Sequence, residues 1–356
     1  MKRRHAIALT AATVSAPFIS TSKASEALRW NMVTSWPKNL PGPGVTAQRL
    51  ADRIVQMSNG RIQIKLYAAG ELVPAFEVLE AVSQNTAQIG HTAAFFWQGK
   101  IPASVFFTAI PFGLTPEEQA AWIYHGGAQE LWEQAYADFN VQPYMAGNTG
   151  TGMGGWFKKE INGLDDLKGL KYRMPGLGGE IYRRLGATPV SIAPGEIFGA
   201  LQSGTLDGAE FVGPASDLAF GFYKIAPYYY WPGFHEPNGT GECLINNKAL
   251  EMLSDDLREV VRNACAAENS FALAEAKWRN AEALNTLINK HGVQVRAFPE
   301  DVLQAARDVG EEVLIEFSKR NEMTRKVYES FNAARSKMTS WSSLSTSAFL
   351  NARENT

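Results

Sequence analysis

Two cysteines, Cys243 and Cys265, are all that 356 residues provide. They are too few and too far apart for a disulfide framework. An oxidising compartment would permit one bond between them, although free cysteines are often simply buried. With no matching histidine pattern they argue only weakly for zinc. Charge of one sign is also lacking: the formal net charge is −2 and no long basic run occurs, which sets nucleic acid aside as the main partner. After the N-terminus no stretch holds 18 uninterrupted apolar residues, so no later segment reads as a transmembrane helix. Neither a G-x-S-x-G elbow nor an H-E-x-x-H zinc helix is found. What is present is ordinary globular composition, 45% hydrophobic and 20% charged, with length enough for two domains.

Residues 1–27 read as an export signal. Lys2, Arg3 and Arg4 precede the apolar run Ala6–Val14, and Ser22-Lys23-Ala24 offers small residues for cleavage. Adjacent Arg3-Arg4 admits the twin-arginine route as well as the general secretory one. The mature chain is expected outside the cytoplasm, in the periplasm; an uncleaved signal-anchor is the alternative.

From Trp30 the pattern is strand, helix, strand, helix, strand. Ala47, Leu50, Ala51 and Ile54 mark a helix face ended by Asn59-Gly60. Ile62, Ile64 and Leu66 alternate with polar residues, as in a half-buried strand. Phe76, Leu79 and Val82 mark another helix, and Glu117–Phe139 reads as a further one, with Trp122 and Leu131 on it. Such alternation implies a mainly parallel sheet covered by helices.

The most informative stretch runs from Leu170 to Pro214. Leu170–Met174 ends at the turn pair Pro175-Gly176. Ile181, Tyr182 and Leu185 make a short helix stopped by Gly186, and Thr188–Ile192 suits a strand. Pro194 and Gly204 suit the two ends of a following helix. The unit leaves Arg173 at one strand end and Glu210 at another. Ligands of open α/β sheets bind beyond the carboxyl ends of strands. A guanidinium fork matches a carboxylate with two parallel hydrogen bonds, whereas an arbitrary arginine more often makes a surface ion pair. Arg183 and Arg184 read as solvated. Gly150-Thr151-Gly152-Met153-Gly154-Gly155 matches G-x-G-x-x-G, but Trp156 and Phe157 follow where a nucleotide-binding helix would have to open. A crossover between lobes is the better reading, with Asn148 able to offer its amide to a bound anion.

Several of these motifs together resemble the solute-binding subunits of TRAP transporters, in particular the branch for 2-oxo and 2-hydroxy monocarboxylates. They are LKGLKYRMPG, LGATPVSIAPGEIFGALQSGTLDGAEFVGP, GNTGTGMGGWF at 147–157 and APYYYWPGFHEP at 226–237. The likeness covers nearly the whole chain after Leu28. It implies an α/β, two-lobed type II periplasmic-binding-protein-like fold: lobe I over 28–147 with part of 238–270 returning to it, and lobe II over 148–237. It implies no enzyme, but a receptor that takes a small organic acid to membrane permease subunits.

The resemblance also assigns roles. Arg173 matches the family's carboxylate clamp. Phe96 and Trp97 match an aromatic segment along the cleft, although an aromatic cluster by itself is more often core. Glu210, with the Phe211 backbone carbonyl, matches the ligands of a sodium or calcium ion. A carboxylate 4 Å from a bound carboxylate is repelled by about 4 kcal/mol at an effective dielectric of ~20; a cation between them turns that repulsion into two attractions. Hard cations suit such oxygens. The chain departs from the family at Gly152, where relatives carry a metal-ligating glutamine. Water or Glu236 is the expected replacement. His235-Glu236 also resembles an acid–base pair, but neighbours on an extended chain point apart, and binding contacts are favoured over catalysis. Tyr228–Trp231 reads as a strand with its turn.

Ser254–His291 is the other unusual segment. Ser254 with two aspartates makes a helix start and Gly292 a stop. Over 254–292 one helix would span about 55 Å, longer than a lobe; the alternative is two helices kinked near Asn269-Ser270. In the family such a helix spans both lobes, and helical arms form dimers in some members, so a homodimer is expected. Residues 293–338 read as a helical region, and 339–356 as a Ser-rich, flexible tail. A binder of a dicarboxylate or sugar acid, or an exported enzyme, remains the alternative function.

Overall fold

The structure, a computed structural model, describes residues 27–354. The stretch carrying the export-signal reading therefore lies, apart from Ala27, outside the described residues. Among those described, no helix is long and apolar enough to cross a membrane.

The first sheet is built from β1 (Leu28–Thr34), β2 (Ile62–Tyr67), β3 (Ile89–Thr92) and β4 (Val141–Asn148), joined by a strand that returns much later. The second holds β5 (Gly155–Phe157), β6 (Lys171–Arg173), β7 (Thr188–Val190), β8 (Gly208–Ala209) and β9 (Tyr228–Trp231). Then β10 (Thr240–Asn246) goes back between β3 and β4, and β11 (Gln294–Ala297) closes the far edge of the second sheet beside β9. The orders are β2-β1-β3-β10-β4 and β11-β9-β5-β8-β6-β7. In the first sheet β1 pairs in parallel with β2 and β3, while β10 runs antiparallel to both its neighbours. This is the two-lobed α/β fold expected.

The helices of the first half are α1 (Pro43–Met57), α2 (Val78–Ser83), α3 (Pro116–His125) and α4 (Ala128–Tyr136). The expected stripe of α1 is buried: Ala47, Leu50, Ala51 and Ile54 all face the core. The single helix expected over Glu117–Phe139 is instead two, because Gly126-Gly127 breaks it and Gly127 takes a φ of +76°, open to glycine at little cost. Lobe II carries α5 (Gly176–Arg184), α6 (Ile197–Ser203) and α7 (Pro214–Phe220). Gly204 caps α6 in the left-handed conformation at φ +80°, as its position implies. The short α8 (Asn247–Glu251) follows β10.

Helix α9 (Asp255–His291) is continuous over 37 residues, so the kinked alternative does not occur. Asp255 and Asp256 sit at its positive end and Lys290 and His291 at its negative end, complementing the macrodipole. Its first half buries Leu257, Val261 and Ala264 in the core beneath the first sheet, whereas Leu287 joins the core of the second. One rod therefore ties the two lobes. Two corrections concern the end of the chain. The region from 293, expected to be helical, begins with strand β11 before α10 (Glu300–Ser318) and α11 (Glu322–Ser342). The tail expected from Thr339 is helical: α11 runs on through Ser342, a π-turn spans Ser343–Ser347, and α12 (Ala348–Glu354) follows. Cys243 on β10 and Cys265 on α9 are both buried, and neither is in a disulfide.

Candidate functional site

The chain crosses between the sheets after β4 and again between β9 and β10. The two crossings are bonded to each other: Thr149 N–H donates to the Gly239 carbonyl at 2.9 Å and Gly152 N–H to that of Glu236 at 3.2 Å. Gly147 and Gly150 take φ of +152° and +73°, values that suit glycine where the backbone turns between lobes. The crossover reading of the glycine run fits this path.

Strands β6 and β8 lie side by side in parallel, with Arg173 in register with Ala209. Glu210 follows immediately, so Arg173 and Glu210 emerge from adjacent carboxyl ends of strands. Arg173 Nη1 donates to the Glu210 carbonyl at 2.7 Å and to its Oε2 at 3.0 Å. Both residues are almost wholly buried, and Arg173 Nε has no hydrogen-bond partner. Burial lowers the guanidinium pKa while the neighbouring Glu210 and Glu236 oppose that shift; the ordinary value is so high that it stays charged. The Phe211 ring lies 5.7 Å from the guanidinium carbon.

His235 and Glu236 converge on this pair. They sit on a turn in which Glu236 N–H donates to the Gly233 carbonyl at 3.1 Å. The extended-chain argument that they point apart therefore fails. Ligating atoms of Glu210, His235 and Glu236 all lie within 4.8 Å of one another. His235 Nε2 is 3.5 Å from Glu210 Oε1, yet neither ring nitrogen makes a hydrogen bond, and both are buried. Burial first, then the Glu210 charge, pushes the Glu236 carboxyl well above the usual carboxylate range. Two buried carboxylates and an unpartnered imidazole are a donor set that a cation fits. The position of the family glutamine does not fit a side chain: a Cβ on Gly152 would lie 2.9 Å from the Val212 carbonyl oxygen.

A cavity of about 570 Å³ opens between the lobes, lined by Arg173, Phe211 and Glu236 on one side and by Trp36, Thr92 and Phe96 on the other. Asn148 lines it too, but its amide is engaged: Nδ2 points at Asn238 and Thr240, and Oδ1 accepts from Gly150 N–H at 2.9 Å. Phe96 lines the cavity as expected, whereas Trp97 is not among the lining residues. Its indole donates to Glu242 Oε2 at 2.8 Å inside the core of the first lobe. The core reading of an aromatic cluster wins for Trp97, because a buried carboxylate there needs its N–H.

Sequence reasoning missed the lobe I wall. Trp36 Nε1 donates to His91 Nδ1 at 2.8 Å, and His91 Nε2 lies 3.0 Å from the Ala146 carbonyl. Burial lowers the His91 pKa to about 4, so the ring is neutral with its proton on Nε2. Contacts across the cleft were missed as well. Ser216 Oγ donates to the Pro41 carbonyl at 2.8 Å, and Ala215 N–H, at the start of α7, donates to Asn280 Oδ1 on α9 at 3.0 Å.

Two α/β lobes closed over a buried arginine and carboxylates define a binding protein for a small anion. Comparison with known proteins identifies which kind. The profile of the bacterial extracellular solute-binding proteins, family 7 (DctP), matches residues 32–321. The monocarboxylate 2-oxoacid-binding periplasmic protein of a Nostoc species is 40% identical over 350 residues, 96% of each chain. A TRAP periplasmic solute-binding protein from Colwellia psychrerythraea, solved with calcium and pyruvate, superposes with a TM-score of 0.88 at 38% identity, covering 92% of this chain and 99% of that one. A second, from Pseudoalteromonas atlantica with sodium and pyruvate, has a TM-score of 0.88 at 36% identity over 91% of this chain and 99% of that one. A third, from Bordetella bronchiseptica, is a mixed-occupancy dimer with copurified calcium and picolinate. Its TM-score is 0.90 at 34% identity, over 93% and 98% of the two chains. The chain belongs to this family of TRAP solute-binding proteins, and its members are receptors rather than enzymes.

Proposed function

We propose that the chain binds a small 2-oxo or 2-hydroxy monocarboxylate, together with a sodium or calcium ion, in the cleft between lobe I (28–147, with part of 238–270) and lobe II (148–237). The observation that carries this reading is the buried Arg173–Glu210 pair at adjacent strand ends, with Arg173 Nε and both His235 nitrogens lacking partners. Arg173 takes the acid's carboxylate. Glu210, the Phe211 carbonyl and Glu236 hold the cation, with His235 beside the two carboxylates. A bound cation supplies positive charge that offsets the repulsion among these carboxylates and the acid. Phe96 closes the lobe I side, and Asn148 assists from the crossover by bracing it through Asn238, Thr240 and Gly150.

Closure around the acid excludes water and makes each of these interactions stronger. The closed receptor then delivers its acid to membrane permease subunits. The export signal, by the general or the twin-arginine route, supports a periplasmic location. Exposed Trp341 on α11, Leu344 on the π-turn and Phe349 on α12 support a homodimer, since large apolar side chains left in the open mark association surfaces.

Thermal-shift screening of dialysed protein against small carboxylic acids, with and without sodium or calcium, tests this reading. A ligand selective for the native state adds about 2.7 kcal/mol of stability at 100 times its Kd. Large shifts with 2-oxo or 2-hydroxy monocarboxylates are expected; shifts only with dicarboxylates or sugar acids would overturn the substrate assignment.

A further inference from the structure

Among the described residues five non-glycines have a left-handed backbone, and four are asparagines: Asn39, Asn59, Asn85 and Asn140. Asparagine tolerates that region, whereas a bulky side chain does not. The fifth is Phe112, at φ +51° in the loop that leads into α3. Such strain persists only where the surrounding contacts over-determine it.

Contacts to the second crossing between the lobes hold Phe112 in place. Its N–H donates to the Phe234 carbonyl at 2.8 Å. The same loop is tied to that crossing twice more. Thr240 N–H donates to the Thr108 carbonyl at 3.3 Å, and Asn238 Nδ2 to that of Leu114 at 3.3 Å. The Phe112 ring stacks on Phe234 with centres 5.2 Å apart and planes 12° from parallel. Arg307 of α10 brings its guanidinium carbon to 5.3 Å from the centre of the Phe112 ring, an attraction of cation for aromatic face. Glycine would take the same φ at little cost, but it would give up the stack.

The stack does not end at Phe234. Tyr182 lies 6.0 Å from Phe234 at 10°, and Tyr172 lies 4.9 Å from Tyr182 at 26°. Phe112 is thus linked, ring by ring, to the chain neighbour of Arg173 as well as to that of His235.

Resting on the reading above, we infer that Phe112 is a positioning residue for the cation. It is not among the residues that line the cavity, so it acts through its neighbour. It fixes Phe234, and with it the turn whose next two side chains are His235 and Glu236. Those two and Glu210 have ligating atoms that all lie within 4.8 Å of one another, a spacing that a shift of the turn would spoil. Residues that orient a metal's ligands are worth about 10- to 100-fold in its affinity.

Calcium titration of the purified protein by calorimetry, with pyruvate in excess, tests the inference. The variants are Phe112→Gly, Phe112→Tyr, Phe234→Leu and the double variant Phe112→Gly with Phe234→Leu. Glycine keeps the φ and the N–H, so the ring alone is lost. Calcium should bind Phe112→Gly about tenfold more weakly, and Phe112→Tyr should restore the affinity. Because both rings act through one stack, the double variant should bind calcium no more weakly than Phe234→Leu alone. Undiminished affinity in Phe112→Gly, or losses that add in the double variant, would overturn the inference and leave the cation site intact. Should Phe112→Gly not fold, Phe112→Leu takes its place with the same expected loss and the same contrary result. If the unsubstituted protein took up no calcium with pyruvate or any other 2-oxo acid, the functional reading itself would fall, and this inference with it.

Discussion

Arg173 meets Glu210 twice through one nitrogen, at the backbone carbonyl and at the carboxylate, with both side chains about 2% exposed. Removing one partner of so dry a pair leaves the other buried and uncompensated, at a cost of about 3–5 kcal/mol. Arg173→Ala is expected to lose stability of that order in urea unfolding and to lose binding of monocarboxylates. Arg173→Lys keeps the charge but not the fork, and should weaken binding at least tenfold while losing less stability. Equal binding by the lysine variant would mean that the fork is not used.

Two other buried acids give the protein a pH signature. Burial pushes Glu242 up to about 7 against hydrogen bonds from Trp97 and Trp132, and Asp217 up to about 7 against those from Tyr229 and Trp156. A carboxyl raised on folding binds a proton more readily in the native state. Its contribution is therefore full below the unfolded value and lost as pH rises through about 7. For Glu242 the loss is on the order of 3 kcal/mol. Unfolding free energy measured from pH 5 to 8 without ligand should fall, and Glu242→Gln should flatten that fall. A slope unaffected by the substitution would contradict the assignment.

His91 runs the other way. Its folded value, lowered to about 4 by burial, makes its contribution full above about 6.5 and lost as pH falls through 4. Nitrogen NMR should find one neutral tautomer, protonated on Nε2, down to about pH 5. His91→Ala removes two buried hydrogen bonds and should cost about 2–4 kcal/mol; a ring that charges at its ordinary pH would refute the placement.

Association is checked by light scattering at micromolar concentration. Twice the chain mass is expected, and Trp341→Glu combined with Leu344→Glu should return it to a single chain. A monomer before substitution would remove the dimer from the account.

What the sequence made legible follows from local chemistry. The β6–β8 unit could be read because its turns and caps are local signals: Pro175-Gly176 ends one strand and Gly204 takes the left-handed cap. Those signals place Arg173 and Glu210 at neighbouring strand ends. The long α9 was legible from its two terminal signals, Ser254 and Gly292. Other features depend on tertiary contacts that no local pattern records. Trp97 was expected at the cleft, but the Glu242 carboxylate, 145 residues away in sequence, draws its indole into the core. His235 and Glu236 point together because their backbone turns back on Gly233. Trp36, His91 and Asn280 meet the cavity only once separate segments have packed. The Gly126-Gly127 pair that divides α3 from α4 is a local signal lying between Trp122 and Leu131, inside the span read as one helix.

The measurement that bears most directly on the account is calorimetric titration of chelator-treated protein with a 2-oxo monocarboxylate, before and after calcium is restored. The account predicts saturable one-to-one binding in calcium, at least tenfold weaker without it, and no detectable binding to Arg173→Ala in either condition. Equal affinity with and without every cation tried would contradict the metal-bridged site, and absence of binding in both states would contradict the assignment of the ligand.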